Sequence, residues 1–290
     1  MFLIEALQQS PPLFLFAVTI LGLSVGSFLN VAAYRLPLMM EREWKTQCRE
    51  LLQLSPETET EEPFNLARPR SRCPHCGHAI SAKENIPILS YLLLRGRCSG
   101  CGVRISPRYP LIEAATAVLS LLVAWHFGFG WQTAAILPLT WALIALSLID
   151  FDHQLLPDSI IYPFLWAGLL LSLTGLFTDP RSALLGAAIG YLSLWSIFQL
   201  FKLITGKEGM GYGDFKLFAL FGAWLGWVYL VPIILLSSLV GALVGIGLIL
   251  LRGRDRNIPI PFGPYLATAG WIALLWGPQI KLALHWVGLG

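Results

Sequence analysis

The sequence predicts an all-α polytopic membrane protein with about eight transmembrane helices and one small soluble insert after the first. Three observations predict it: the composition, the length of the apolar runs, and a one-sided distribution of Lys and Arg. Of the 290 residues 56% are hydrophobic and 13% charged, with a mean hydropathy of +0.66. A soluble domain of this size carries roughly 25% charge, so most of this chain is built for lipid.

A spanning helix needs roughly 20 apolar residues, because about 30 Å of hydrocarbon is crossed at about 1.5 Å per residue. Leu13 to Tyr34 makes one such run. Leu111 to Ile149 is charged only at Glu113, is too long for one helix, and is divided at Gly128-Phe129-Gly130. Ser159 to Phe201 is divided at Thr178-Asp179-Pro180-Arg181. Leu217 to Leu251 holds no charge and turns between Gly226 and Pro232, and a final run covers about Ile260 to Gly277. The first run continues into Gly-Ser-Phe-Leu-Asn without a small-residue cleavage site, so it is expected to be a permanent helix and not a removable signal peptide.

With eight spans, 18 of the 20 basic residues fall on one side and only Arg181 and Lys281 on the other. This is the bias of cytoplasmic loops, and it leaves both termini facing outward. The net charge of +3 accompanies that topology, and no nucleic-acid partner is expected.

Residues 36–110 alone have ordinary soluble composition, with 11 of the basic and 8 of the 17 acidic residues. The expected division is a first transmembrane helix over 1–35, a cytoplasmic insert over 36–110, and a seven-helix bundle over 111–290. Within the insert, Leu38 to Leu54 mixes apolar and charged residues at near-helical spacing, as for an amphipathic helix on the membrane surface or against the insert's own core. Ser55 to Asn65, with two prolines and four Glu, reads as a solvated loop.

Four of the five cysteines form two pairs, Cys73-Pro-His-Cys76-Gly and Cys98-Ser-Gly-Cys101-Gly. A two-residue spacing followed by glycine lets a tight turn aim two thiolates and its backbone amides at one ion, and two such turns complete a tetrahedron. In a reducing cytoplasm disulfides are disfavoured, so the expectation is a structural zinc. His75 and His78 are not needed as ligands, and Cys48 is simply a helix residue.

Ionisable groups beside hydrocarbon are costly and point to function. Asp150-Phe-Asp152-His-Gln-Leu-Leu-Pro-Asp158 closes the third span, and Gly209-Met-Gly211-Tyr-Gly213-Asp214-Phe-Lys216 opens the sixth. The topology puts both at the same membrane face. Two carboxylates a few Å apart do not readily both ionise, so one keeps a proton while the other activates water against a peptide carbonyl. From spacing alone, helix capping with pairing to Lys216, and an ion or proton pathway, stay open.

Taken together, Gly-Tyr-Gly-Asp214 with Lys216, the Asp150–Asp158 stretch, the paired cysteines, Gly26-Ser-Phe-Leu-Asn30-Val, Arg35-Leu-Pro and Ile258-Pro-Ile-Pro-Phe-Gly-Pro-Tyr265 resemble the type IV prepilin leader peptidases that are also N-methyltransferases. The resemblance covers nearly the whole chain. It implies cleavage of the basic leader of type IV prepilins and type II secretion pseudopilins at the cytoplasmic face of a bacterial inner membrane. It also implies methylation of the new N-terminal amine by S-adenosylmethionine. It further implies Asp150 and Asp214 as the peptidase pair, with Asp152, Asp158, Gly211, Gly213 and Lys216 in support. Gly96 is tied to methyl transfer, with Asn30, Arg35 and Glu113 as further candidates. No nucleotide-binding glycine turn is present, so the methyl-donor site rests on the resemblance. Gly22 and Gly26 are expected to serve close helix packing.

Overall fold

The computed structural model describes residues 2–54, 64–252 and 260–286. Among them there is no β-strand, only two isolated bridges. The α-helices are α1 (Phe2–Gln9), α2 (Pro11–Leu51), α3 (Leu89–Leu93), α4 (Arg108–Phe127), α5 (Trp131–His153), α6 (Asp158–Ser172), α7 (Pro180–Thr205), α8 (Tyr212–Leu225), α9 (Leu230–Arg252) and α10 (Gly263–Trp286). Each apolar run of the sequence carries one helix, α2 and α4 to α10. Five stretches are long and apolar enough to cross a membrane: Pro11–Leu51, Arg108–Phe127, Trp131–His153, Pro180–Thr205 and Trp227–Leu251. Helix α6 is apolar but shorter, and α8 has 14 residues.

The breaks have local causes. Gly128 and Gly226 end α4 and α8 at positive φ, 67° and 84°, where glycine carries no Cβ penalty. Asp179 caps α7, its carboxylate accepting from the Ser182 amide at 3.0 Å. The loop expected at Ser55–Asn65 lies outside the described residues except at its end, as do Arg254, Arg256 and Ile258.

One expectation changes. Leu38 to Leu51 is neither a separate surface helix nor a helix on the insert's core. It continues α2 through Pro37, giving 41 residues, about 60 Å of helix. Pro37 removes one hydrogen bond, but Leu, Met, Glu, Arg and Lys beyond it are strong helix formers. Glu41 to Cys48 are exposed, with Glu41 and Lys45 paired one turn apart at 2.8 Å.

The chain forms two compact units, residues 1–133 and 134–290. In the first, α2 packs on α4 through small residues. A Cβ on Gly22 would come within 2.9 Å of the Ala117 Cα, and one on Gly26 within 2.7 Å of the Glu113 Cα, so both glycines let the backbones touch.

The second unit is built round α8, which is buried on every face from Asp214 to Leu225 apart from Lys216. Its neighbours reach it through glycines. Gly222 lies directly on the Gly186 backbone of α7, and Gly190 faces Phe218 and Ala219. Gly168 of α6 receives the Trp224 indole, whose Nε1–H donates to the Phe164 carbonyl at 2.7 Å. Gly270 of α10 receives the Phe221 ring.

Because the obstacle at Gly222 is backbone, Gly222→Leu should destabilise the protein by at least the roughly 1–3 kcal/mol of core overpacking. Gly247→Leu on α9, where a Cβ meets nothing within 4 Å, should leave the thermal midpoint in detergent almost unchanged. Equal midpoints for the two variants would contradict the glycine-mediated packing.

Candidate active site

Asp150 sits in the last turn of α5 and Asp214 in the first turn of α8. Both are buried, at 6% and 7% exposed, and they lie close enough to interact electrostatically. Leu156, from the loop joining α5 to α6, packs against the backbone next to Asp214. A Cβ on Gly213 would come within 2.6 Å of the Leu156 Cβ, so glycine beside Asp214 makes room for this side chain. On its other flank Leu156 meets Gly263, the first residue of α10, whose own Cβ would come 2.7 Å from the Asp150 Oδ2. The Gly263 amide donates to that oxygen at 2.9 Å, and the N-terminal end of a helix favours a carboxylate there.

Asp214 is held differently. The backbone of Gly211, the residue preceding α8, hydrogen-bonds to its carboxylate, as in a capping box. Its Oδ1 is the one buried side-chain N or O atom without a hydrogen-bond partner among the described residues. A buried orphan oxygen on a carboxylate is costly, and here it belongs to a group within electrostatic reach of a second carboxylate. The pair can bind and polarise a water or a peptide carbonyl. Asp152 is exposed. Asp158 opens α6, and both its carboxylate oxygens accept from the Lys216 Nζ at 2.8 Å. This pair ties α6 to α8 two residues beyond Asp214.

Gly263 was missed as a site residue in the sequence. The available signal was a glycine between Phe262 and Pro264, after Pro261, immediately before the last apolar run.

The second candidate site is the cysteine knot. The Cys73 and Cys101 Sγ atoms are 3.9 Å apart, Cys76 and Cys98 4.0 Å, and all four lie within 4.8 Å of one another. Thiolates at about 2.3 Å from a tetrahedral ion would stand about 3.8 Å apart, so this cluster can hold a metal ion. The two knuckles are alike: Gly77 and Gly102 have φ of 70° and 72°, and their amides donate to the Cys73 and Cys98 carbonyls at 2.9 Å. Hydrogen bonds from the Cys76 and His75 backbone bring the Cys73 thiol down to about 6. Despite a backbone hydrogen bond from Val103, burial and the neighbouring thiols of Cys76, Cys98 and Cys73 push Cys101 up to about 12. Such a knot needs a cation to keep four thiolates together.

His78 turns away from the knot. Its Nε2 meets Ser99 Oγ at 3.1 Å and Glu84 Oε1 at 3.3 Å. The Ser99 hydroxyl and the Ser81 amide donate to Glu84 and hold its carboxyl down at about 2. Glu84 thus links the first knuckle, through His78, to the second, through Ser99.

Of the remaining candidates, Arg35 and Glu113 join the insert to α2 and α4, Asn30 joins α2 to α4, and Gly96 lies within the insert. Arg35, 7% exposed, donates to the Asn65, Leu66 and Pro69 carbonyls at 2.9, 3.4 and 2.7 Å. Asn30 Nδ2 donates to the Gly26 and Tyr109 carbonyls at 3.2 and 3.3 Å. Glu113 accepts from the Ile88 amide at 2.7 Å. Gly96 is buried at φ 65°, where a Cβ would come 2.9 Å from the Tyr91 hydroxyl oxygen. Any side chain there is both strained and obstructed.

Fold and site together define a helical membrane protein with a buried carboxylate pair in one unit and, in the other, a cluster of four cysteines able to hold a metal ion. Residues 20–127 match the bacterial peptidase A24 N-terminal domain, and residues 137–246 match the type IV leader peptidase family. The chain is 57% identical to a prepilin leader peptidase/N-methyltransferase of Stutzerimonas stutzeri over 277 residues, covering 96% of each chain. It is 59% identical to the protein of that name from Pseudomonas aeruginosa over 278 residues, again covering 96% of each chain. The protein of that name from Aeromonas hydrophila is 57% identical over 278 residues, also at 96% of each. This chain belongs to the type IV leader peptidase family. No solved structure matches it.

Replacing one ligand leaves an incomplete tetrahedron, so Cys73→Ser should lower the metal bound per chain, measured by plasma mass spectrometry, by well over half. Undiminished metal would contradict the four-thiolate site.

Proposed function

We propose that this chain cleaves the basic leader from type IV prepilins and type II secretion pseudopilins and N-methylates the new terminal residue with S-adenosylmethionine. The observation that carries the reading is the buried pair, Asp150 and Asp214, brought from two helix ends to within electrostatic reach of each other. Its support is the near-full-length identity to proteins named for both activities.

In the peptidase step one carboxylate of the pair is ionised and the other protonated. The ionised one takes a proton from water as its oxygen attacks the scissile carbonyl, and the protonated one gives its proton to the carbonyl oxygen. Collapse of the tetrahedral intermediate breaks the C–N bond, and the proton taken from water passes to the leaving amine. Gly263 orients Asp150 by its amide, and the Asp158–Lys216 pair fixes the start of α8. S-adenosylmethionine, when bound, would supply a methyl group to the freed and deprotonated amine and leave as S-adenosylhomocysteine, with Gly96, Asn30, Arg35 and Glu113 as the residues proposed to hold it.

The Lys and Arg bias supports a multi-pass bacterial inner-membrane protein with the insert and both aspartates facing the cytoplasm. A substrate with a basic leader would leave that leader on the same side, beside the pair. The metal is zinc in this reading, held by Cys73, Cys76, Cys98 and Cys101 as a structural staple, because four thiolates leave no open coordination position.

Mass spectrometry of a prepilin incubated with the purified protein and S-adenosylmethionine should show leader loss and one added methyl. Asp150→Asn and Asp214→Asn should each slow cleavage by about a hundred- to ten-thousand-fold, with metal content and methylation of a pre-cleaved pilin retained. Near-normal cleavage in either would move the assignment to Asp152 or Asp158.

Gly263→Ala keeps the amide but drives a methyl against Asp150. Its kcat for cleavage should fall by about a hundredfold, as misplacing a reacting group by about 1 Å does, with KM little changed. An unaltered kcat would remove Gly263 from the site.

A further inference from the structure

The insert carries an apolar face that its own core does not use. Ile86, Leu89, Leu92 and Leu93 are 42%, 50%, 65% and 73% exposed, on and just before α3. In a solvated domain four large aliphatic residues so close together would be an aggregation liability. Their position relative to the helices says what covers them. The Ile88 amide donates to Glu113, a buried carboxylate six residues into α4. Helix α4 is one of the stretches that can cross a membrane, and its 20 residues span about 30 Å, just the hydrocarbon thickness. Glu113 therefore stands about 7 Å along that length from its insert-side end. Packing of Gly26 on the Glu113 Cα sets the same level against α2, a second crossing helix. The bond to Glu113 thus holds Leu89 and its neighbours at the membrane boundary.

The segment that carries this face is predominantly basic. Residues 64–110 contain eight Lys and Arg and a single acid, Glu84. All eight basic residues are exposed, while Glu84 is engaged by Ser81, Ser99 and His78. The insert's other acids lie on the extension of α2 and in residues 57–62. Arg95 and Arg97 follow α3 directly, and Arg104 bridges to Arg97 in the second knuckle. Aliphatic residues flanked by guanidinium groups form the composition of an element lying in the plane of an anionic membrane surface.

We propose that the Ile86–Leu93 face is an interfacial anchor, with its leucines at the acyl boundary and Arg95, Arg97 and Arg104 among anionic lipid headgroups. The anchor holds the cysteine knot flat against the bilayer and does not depend on either enzymatic step.

The test places the photoreactive residue p-benzoylphenylalanine at Leu92 or Leu93 in the full-length protein. A control carries it at Trp44, on the exposed extension of α2. Each is reconstituted in vesicles of phosphatidylcholine with phosphatidylglycerol, or of phosphatidylcholine alone, and adducts are identified by mass spectrometry after irradiation. Metal content equal to the unsubstituted protein certifies a folded insert; a label that fails this check is moved to Leu89. The expected result is lipid adducts at the anchor positions, absent at Trp44, with a yield at least about threefold higher when phosphatidylglycerol is present. Adducts to peptides from residues 134–290, adducts to an added prepilin in place of lipid, or no adduct would each overturn the anchor. Equal yields in the two vesicles would overturn the anionic-headgroup assignment.

Discussion

Helix α8 is apolar on nearly every face, and such a helix is stable only where neighbours cover it completely. At 14 residues it is also too short to cross hydrocarbon by itself. It is covered instead, by α6, α7 and α10, and the cover is close because glycines stand at each meeting point. Where lipid solvates apolar side chains as well as protein does, backbone proximity is what makes helices associate. The tight seating of α8 fixes the start of the helix, and with it Asp214.

That seating has a chemical consequence at one end. Leu156 packs close to α8 because Gly213 has no side chain, and Gly263 can approach Asp150 for the same reason. A tight enclosure makes the unpartnered oxygen of Asp214 costly, and that cost is tolerable only in a unit whose packing is otherwise well satisfied. The partner the structure gives Asp150 there is a backbone amide at a helix start, that of Gly263.

The first unit solves a different problem. The described residues of its insert include few buried apolar side chains, so four thiols, a Ser–His–Glu link between knuckles, and two side chains, Arg35 of α2 and Glu113 of α4, hold it. Arg35 and Glu113 bond to backbone of the segment that follows α2 and precedes α4, and Asn30 bonds to backbone of α2 and α4 themselves. These buried polar groups are satisfied by main-chain partners, which makes them fasteners whatever else they do.

The sequence by itself determined the helical membrane class, the position of each apolar helix, and the cysteine knot, because these depend on local quantities: run length, breaker residues, and a two-residue ligand spacing. Gly22 and Gly26 were legible as packing residues for the same reason. It did not determine that α2 continues past Pro37, since propensity on either side outweighs one lost hydrogen bond. Nor did it determine that α8 is the buried centre of its unit, because apolar runs read alike whether lipid or protein surrounds them. The role of Gly263 was decided only by tertiary structure: its amide meets Asp150 from 113 residues away. No local pattern encodes such a contact; it exists because the helices between the two residues pack in one way.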